Sequence, residues 1–238
     1  LMVQPTMDAV RRNTSTRVDP MIAASPALRD RVVEPGRKEP GNSQFHKLFP
    51  GGQLVMVGAA SGVGLRSTPA RYLFLDEVDA YPADVSGEGD PAALAIQRTV
   101  TFRGRRKIVM VSTPTLKGYS RIEAAYEESD RRIYEVRCPD CGSYAPIMWA
   151  QIQWPEGRRD LAHRVCPDCG AVHEEHIKPA LLASGRWRAT QAGDGKTAGF
   201  HLSSLYSPFE TWAEIAIEHG QVYRDSPRLQ VWTNTKLA

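Results

Sequence analysis

The amino-acid sequence predicts an α/β fold: a mostly parallel sheet, then a small β module, then C-terminal helices. Three observations carry this expectation. Three short apolar runs, residues 53–58, 72–75 and 107–111, are bounded by turn formers and separated by stretches of helical pattern. Continuous apolar strands alternating with helices imply a parallel sheet covered on both faces. From about residue 131 the pattern changes to short β-like pieces around two cysteine pairs, followed by helical stretches at 177–184 and 210–223.

Taken in order, Leu1-Met2-Val3 reads as the tail of a buried strand that runs into the turn Gln4-Pro5-Thr6. That abrupt opening, and an end at Val231-Trp232-Thr233-Asn234 with no cap, predict a fragment of a longer protein. Residues 7–33 carry helical material that Asp8 can cap and that Pro20 and Pro26 punctuate. Residues 34–52 are loop-like, with Pro35-Gly36, Pro40-Gly41 and Pro50-Gly51-Gly52. The first apolar strand precedes a small-residue loop at 59–71. Helical patterns at 91–102 and 119–130 flank the third strand, and a strand-like stretch at 199–205 follows Trp187. Trp149, Trp154 and Trp187 flank the cysteines and read as the small core of that region.

With 238 residues and 42% hydrophobic content, the chain can bury one sizeable core, or one core and a small satellite. No apolar run approaches the roughly eighteen residues of a membrane span, and no basic-then-apolar secretory start precedes the first element, so the expected setting is cytosolic. A net charge of +3 permits a nucleic-acid partner without demanding one. Most basic bursts fit an ordinary solvated surface. The run Arg103, Arg105, Arg106 and Lys107 lies in a link between a helix and a core strand, which makes it the candidate for tracking phosphates.

Asp76-Glu77 is the sharpest catalytic signal. Four apolar residues precede it, so the pair stands where a buried parallel strand emerges, the place where open α/β sheets bind ligands. Phosphoryl transfer needs a carboxylate to hold Mg²⁺ and a group to orient the attacking water, and adjacent acids can divide those tasks: Asp76 to the metal of Mg-ATP, Glu77 to the water. A pair of exposed acids after any strand is the plain alternative. Ser112-Thr113 holds the same relative place after the third strand, where two hydroxyls can report on the γ-phosphate; its alternative is a simple strand-to-turn transition before Pro114. No G-x-x-x-x-G-K-[ST] phosphate loop occurs, and Gly58-Ala59-Ala60-Ser61-Gly62-Val63-Gly64 has no lysine after its last glycine. The phosphate loop is therefore expected upstream of Leu1.

All four cysteines fall in two identical tetrapeptides, Cys138-Pro139-Asp140-Cys141 and Cys166-Pro167-Asp168-Cys169, each followed by glycine. Each pair can clasp a metal from a tight knuckle, and two knuckles supply the four thiolates of a closed structural Zn²⁺ site. The gap between the pairs is longer than the usual ribbon range, which a longer hairpin accommodates. Two disulfides and a redox pair are the alternatives; a cytosolic setting disfavours the first, and the second needs no duplicate. With no spare ligand position, the metal would fold a local β ribbon that has little core of its own.

In order along the chain, Asp76-Glu77-Val78-Asp79-Ala80-Tyr81-Pro82, Glu88-Gly89-Asp90-Pro91, Ser112-Thr113-Pro114-Thr115, the two Cys-Pro-Asp-Cys-Gly knuckles, Gly199-Phe200-His201 and Leu205-Tyr206-Ser207-Pro208 resemble the lambda-type (GpA) terminase large subunits of tailed phages and prophages. Gln4-Pro5-Thr6 and Leu65-Arg66-Ser67 fit as well, so the resemblance covers essentially the whole chain. It implies a RecA-like ATPase that drives double-stranded DNA into a procapsid, and a further nuclease domain that cuts concatemers. It also implies a Walker B pair at Asp76 and Glu77, a coupling motif at Ser112, Thr113 and Pro114, and zinc ligands at Cys138, Cys141, Cys166 and Cys169. The expected partition is a partial RecA-like domain at 1–132 without its phosphate loop, a zinc ribbon at 133–176, and at 177–238 the continuation of the ATPase domain with a linker toward a missing nuclease domain. The expected partners are DNA, a terminase small subunit, the portal of the procapsid and further copies of the subunit, in the cytoplasm of a bacterial host. The fragment alone is expected to be inactive. Arg66 and Arg71 can be arginine fingers, though fold-stabilising pairs are the simpler expectation. A helicase-type RecA motor and a non-enzymatic zinc-ribbon binding module are the competing functions. The first needs a second lobe with an arginine motif; the second makes Asp76 and Glu77 dispensable.

Overall fold

The computed structural model describes residues 1–32, 43–116 and 118–238. The chain divides into two compact units, Leu1–Ser112 and Thr113–Ala238. Among the described residues no helix is long and apolar enough to cross a membrane.

The first unit is built on strands β1 (Met2–Gln4), β2 (His46–Phe49), β3 (Gly52–Gly58), β4 (Tyr72–Asp76) and β5 (Lys107–Val111), arranged β2-β3-β1-β4-β5. β1 is parallel to β3 and β4, and β4 is parallel to β5; β2 is an antiparallel edge hairpin on β3. The three apolar runs thus become β3, β4 and β5, and the opening tripeptide becomes a central strand. β2 lies in the stretch expected to be loop; Pro35-Gly36 and Pro40-Gly41 of that stretch fall outside the described residues.

Local chemistry explains the helices. Thr6 caps α1 (Met7–Asn13), accepting a bond from the Ala9 amide, so the cap is Thr6 and not Asp8; Asp8 sits in the first turn and pairs with Arg11. A π-helical turn at Thr14–Val18 leads into α2 (Asp19–Ala24) and α3 (Pro26–Arg29). The small-residue loop contains α4 (Gly62–Arg66), whose cap Ser61 accepts from the Gly64 amide. Asp90 caps α5 (Pro91–Gln97), with proline in its first turn. Gly58 is required where β3 ends: a Cβ there would stand 2.9 Å from the Met7 nitrogen. Its absence lets the turn after β1 cross the end of β3.

On β4, Leu73 and Leu75 point into the core, while Tyr72 and Phe74 are exposed, as are Val109 and Val111 on β5. The expectation of a sheet covered on both faces therefore fails at these two strands: their side chains alternate, and among the described residues of this unit only one set is covered.

In the second unit, α6 (Arg121–Glu128), capped by Ser120, precedes β6 (Arg132–Arg137). β6 pairs with β7 (Tyr144–Pro146), β11 (Arg186–Ala189) and β12 (Phe200–His201). A second sheet orders β10 (Val172–His173), β9 (His163–Val165) and β8 (Ile152–Gln153), all antiparallel. Three helices follow or interleave: α7 (Lys178–Ala183), α8 (Trp212–Val222) and α9 (Ser226–Lys236). A capping box between Thr211 and Glu214 starts α8, and Asp225 with Pro227 starts α9, a helix that the apolar pattern alone does not announce. One core runs through Val136, Ile147, Ile152, Leu181, Leu205, Trp212, Ile215 and Trp232. The cysteine-bearing strands thus share a core with the C-terminal helices and do not form a ribbon with its own small core. Trp149 packs against Trp154, His219 and Trp232, whereas Trp187 packs against Tyr134 and Phe200.

Candidate functional site

Two clusters carry chemistry, one in each unit. In the first, three neighbouring parallel strands end together. Gln4 ends β1, Asp76 ends β4 and Ser112 follows β5. The Gln4 side-chain amide, itself buried, donates to Asp76 Oδ2 at 2.9 Å, which leaves Oδ1 unencumbered by this bond. Glu77 is exposed and left-handed, at φ 53°, ψ 52°. A glutamate has no steric reason to sit there; residues held in such regions persist where the surroundings over-determine them, and they cluster at functional sites. The surroundings are visible. The Asp79 amide donates to Ser112 Oγ at 3.2 Å, and the Tyr81 hydroxyl donates to the Val3 carbonyl at 2.8 Å. The turn after Asp76 is therefore tied to both neighbouring strands. Thr113 is exposed and begins the second unit.

The basic run is less uniform than its sequence. Arg103, Arg105 and Lys107 are exposed, but Arg106 turns toward buried Thr99 and donates to its hydroxyl at 2.9 Å. Arg66 pairs with Glu88 at 2.7 Å, and Arg71 donates to the Arg105 carbonyl at 3.2 Å.

In the second unit each Cys-Pro-Asp-Cys forms the tip of a hairpin. Cys138–Cys141 joins β6 to β7, and Cys166–Cys169 joins β9 to β10. The knuckles repeat one pattern. Gly142 donates to the Cys138 carbonyl at 2.9 Å and Gly170 to the Cys166 carbonyl at 3.0 Å. Both glycines take a positive φ, 76° and 74°, which a side chain would strain. All four thiols are free of disulfides, and the four sulfurs lie within 4.8 Å of one another. Across the knuckles, the Cys138 and Cys169 sulfurs are 3.8 Å apart and those of Cys141 and Cys166 are 4.0 Å apart. A tetrahedral ion with metal–sulfur bonds of about 2.3 Å requires sulfurs about 3.8 Å apart, so the donor set fits one. As bare thiols the four would not ionise together. Hydrogen bonding by Ser143 draws Cys141 down to about 6. Although the Ala171 amide favours the thiolate, burial and bonds to Cys141 and Cys166 push Cys169 up to about 12.

Behind the sulfurs stands buried His173, 1% exposed, whose Nε2 lies 3.0 Å from Asp140 Oδ2 and 3.7 Å from Cys138 Sγ. Cys138, Asp140 and His173 thus form a second group close enough to hold an ion. Sequence spacing signals the cysteines but not His173, because its place beside them arises from the pairing of β9 with β10.

A family model described as "Phage terminase large subunit gpA, ATPase domain" matches residues 1–187. The chain belongs to the phage terminase large subunit gpA family. A second model, "Terminase large subunit gpA, endonuclease domain", matches residues 197–238, inside the stretch assigned from sequence to the end of the ATPase domain and a linker. Two curated relatives carry the name "Terminase, large subunit". That of Enterobacteria phage P21 is 27% identical over 265 residues, covering 100% of this chain and 40% of the relative. That of Escherichia phage lambda is 24% identical over 262 residues, covering 98% of this chain and 40% of the relative. The chain thus spans about 40% of the length of these relatives. No solved structure matches it. The ATPase match includes both the strand-end cluster and all four cysteines.

Proposed function

We propose that this chain is part of the ATP-driven motor of a phage DNA-packaging terminase, which moves double-stranded DNA into a procapsid and, as the full protein, also cuts concatemers. The observation that carries it is the convergence of Gln4, Asp76 and Ser112 at the ends of adjacent parallel strands, with Glu77 held left-handed beside them, in a member of the gpA family. Asp76 would hold the Mg²⁺ of Mg-ATP. Glu77 would orient and deprotonate the water, and Ser112 and Thr113 would couple the γ-phosphate to the fold. Mg²⁺ supplies charge neutralisation on the phosphates; the chain's own contribution is the placement of these side chains. The Ser112 bond to the Asp79 amide gives coupling a route, since it joins the end of β5 to the turn that carries Glu77.

The partition that goes with this is a RecA-like ATPase portion at 1–132, a four-cysteine zinc module at 133–176 that shares its core with the helices after it, and a segment at 177–238 whose residues 197–238 match the endonuclease model. Zn²⁺ would be structural, held by Cys138, Cys141, Cys166 and Cys169; the sulfur spacings support this ligand set. Arg103, Arg105 and Lys107 are exposed enough to follow phosphates, with Arg106 as their anchor on Thr99. The small subunit, the portal and further copies of this subunit are the proposed partners, in the host cytoplasm.

The test is paired measurement of nucleotide affinity and steady-state ATPase rate on full-length Glu77→Gln protein. ATP binding should persist while hydrolysis falls by at least about 10²-fold. Near-normal turnover removes Glu77 from the mechanism.

A further inference from the structure

Among the described residues, one buried cation of the second unit makes no ion pair with a carboxylate. Three cationic side chains are buried among the described residues: Lys47, Lys178 and Arg164. Lys47 lies 2.8 Å from Asp19, and Lys178 lies 3.1 Å from Glu175. Arg164 is 0% exposed, yet its bonds go to two neutral acceptors: Nε to Gln151 Oε1 at 3.0 Å and a terminal nitrogen to His173 Nδ1 at 3.1 Å. A buried charge without compensation costs several kcal/mol, so natural interiors pair such charges or neutralise them. Arginine does not neutralise. The cation stands beside the sulfurs: the same His173 ring that meets Arg164 through Nδ1 lies 3.7 Å from Cys138 Sγ through Nε2, and Cys166 follows directly at the end of β9, the strand that carries Arg164. Four neutral thiols would leave this cation unbalanced. Four thiolates around one divalent ion carry a net charge of about −2, and that balances it.

The same contact decides the role of His173. A guanidinium only donates, so His173 Nδ1 must accept, and the ring proton therefore lies on Nε2. An Nε2–H group cannot ligate a metal. It donates to Asp140 Oδ2 at 3.0 Å, with Cys138 Sγ beyond at 3.7 Å. Cross-strand pairing of His173 with Arg164 keeps the two side by side.

Resting on the four-cysteine zinc proposal, we infer that Arg164 is the fixed countercharge of that tetrathiolate site, held by Gln151 and His173, and that its bond to His173 makes this histidine a supporting donor and not a ligand. The metal set is then Cys138, Cys141, Cys166 and Cys169, and the group Cys138, Asp140 and His173 holds no ion of its own. Arg164 and His173 are positioning residues; neither touches the ion.

The experiment uses full-length protein purified without added zinc, with metal content by elemental analysis and release rate from transfer to a chromogenic chelator. Arg164→Met should speed zinc release about 10- to 100-fold, the range found when a metal site loses a supporting partner. Arg164→Lys, which keeps the charge but loses the fork, should fall between. His173→Gln can still accept from Arg164 and donate onward, so it should retain zinc nearly as the parent does. Thermal melts separate this from a plain packing role. Arg164→Met should lower the Tm of the zinc-loaded protein and leave unchanged or raise that of the stripped, reduced protein, where the cation is uncompensated. Equal zinc release from Arg164→Met and the parent, or equal loss of Tm with and without zinc, overturns the inference while the zinc site stands. Should Arg164→Met fail to fold, His173→Ala decides: release about 10-fold faster supports the inference, and unchanged release overturns it. A parent protein without stoichiometric zinc overturns both this inference and the ligand assignment beneath it.

Discussion

The two units position their chemical groups in opposite ways. In the first, Asp76, Gln4 and Ser112 meet because strands far apart in sequence end at the same level of one parallel sheet. Buried Leu73 and Leu75 seat β4 on the hydrophobic core and so fix that level. In the second, the four cysteines sit on two hairpin tips that lie side by side. The turns are locally determined, and on the zinc proposal the buried arginine behind them is balanced only when the ion is bound. A site made by sheet register should survive loss of its ligand. A site made by thiolates around a buried arginine should not.

The largest expected effect tests that contrast directly. Stripping metal from the full-length protein under reducing conditions should unfold the region around the knuckles, since structural zinc contributes on the order of 10 kcal/mol. Hydrogen exchange should then rise in β6, β7, β9 and β10 while β1, β4 and β5 keep their protection. Uniform loss across both units would erase the distinction between them. Next in size, Leu73→Ala removes a fully buried side chain beneath Asp76 and should cost about 2–5 kcal/mol. Denaturant melts should register that loss with zinc content unchanged; zinc lost in parallel would mean the two units stand or fall together.

Smaller changes sharpen the strand-end site. Glu77→Gln should leave the melting curve near the parent's while hydrolysis falls by the factor stated above. Glu77→Gly offers a companion test: with φ at 53° relaxed, it should be neutral or slightly stabilising even as activity disappears. A large destabilisation would show that the glutamate side chain holds the turn. The smallest effect belongs to the basic run. Neutralising Arg103, Arg105 and Lys107 should lower the log–log salt slope of DNA binding by roughly one per lost phosphate contact. Arg106→Gln should instead act on stability, because its partner is buried Thr99. An unchanged slope after the triple change assigns the run to ordinary surface.

Much of this was legible in the residues. The strand ends at Asp76 and Val111 follow from short apolar runs that stop at polar residues, and β4 and β5 carry those runs. The four cysteines announce themselves by spacing, since a knuckle is a local turn whose glycine is part of the signal. The family, too, could be named from ordered motifs. What escaped were features with weak local signals: β2 within a proline- and glycine-rich stretch, α4 within a small-residue loop, and α9, whose apolar residues are sparse. The cap of α1 was misplaced because both Thr6 and Asp8 can serve, and the way the chain leaves β1 selects Thr6.

The sequence by itself determined the kinds of chemistry present: a carboxylate pair after a buried strand, hydroxyls after the next, and thiols in two turns. Those are properties of residue type and short spacing, which act over a few bonds. Only the tertiary structure decided which groups meet. Gln4 reaches Asp76 across 72 positions of chain because β1 enters the sheet beside β4. Glu77 is left-handed because the segment after it is tied to two other strands. Arg164 becomes a buried cation bonded to Gln151 and His173 because β9 pairs with β10 and the shared core closes over both. Burial is a collective outcome of packing, and with it the meaning of a charge changes: the same arginine is an ordinary surface residue until the fold removes its water.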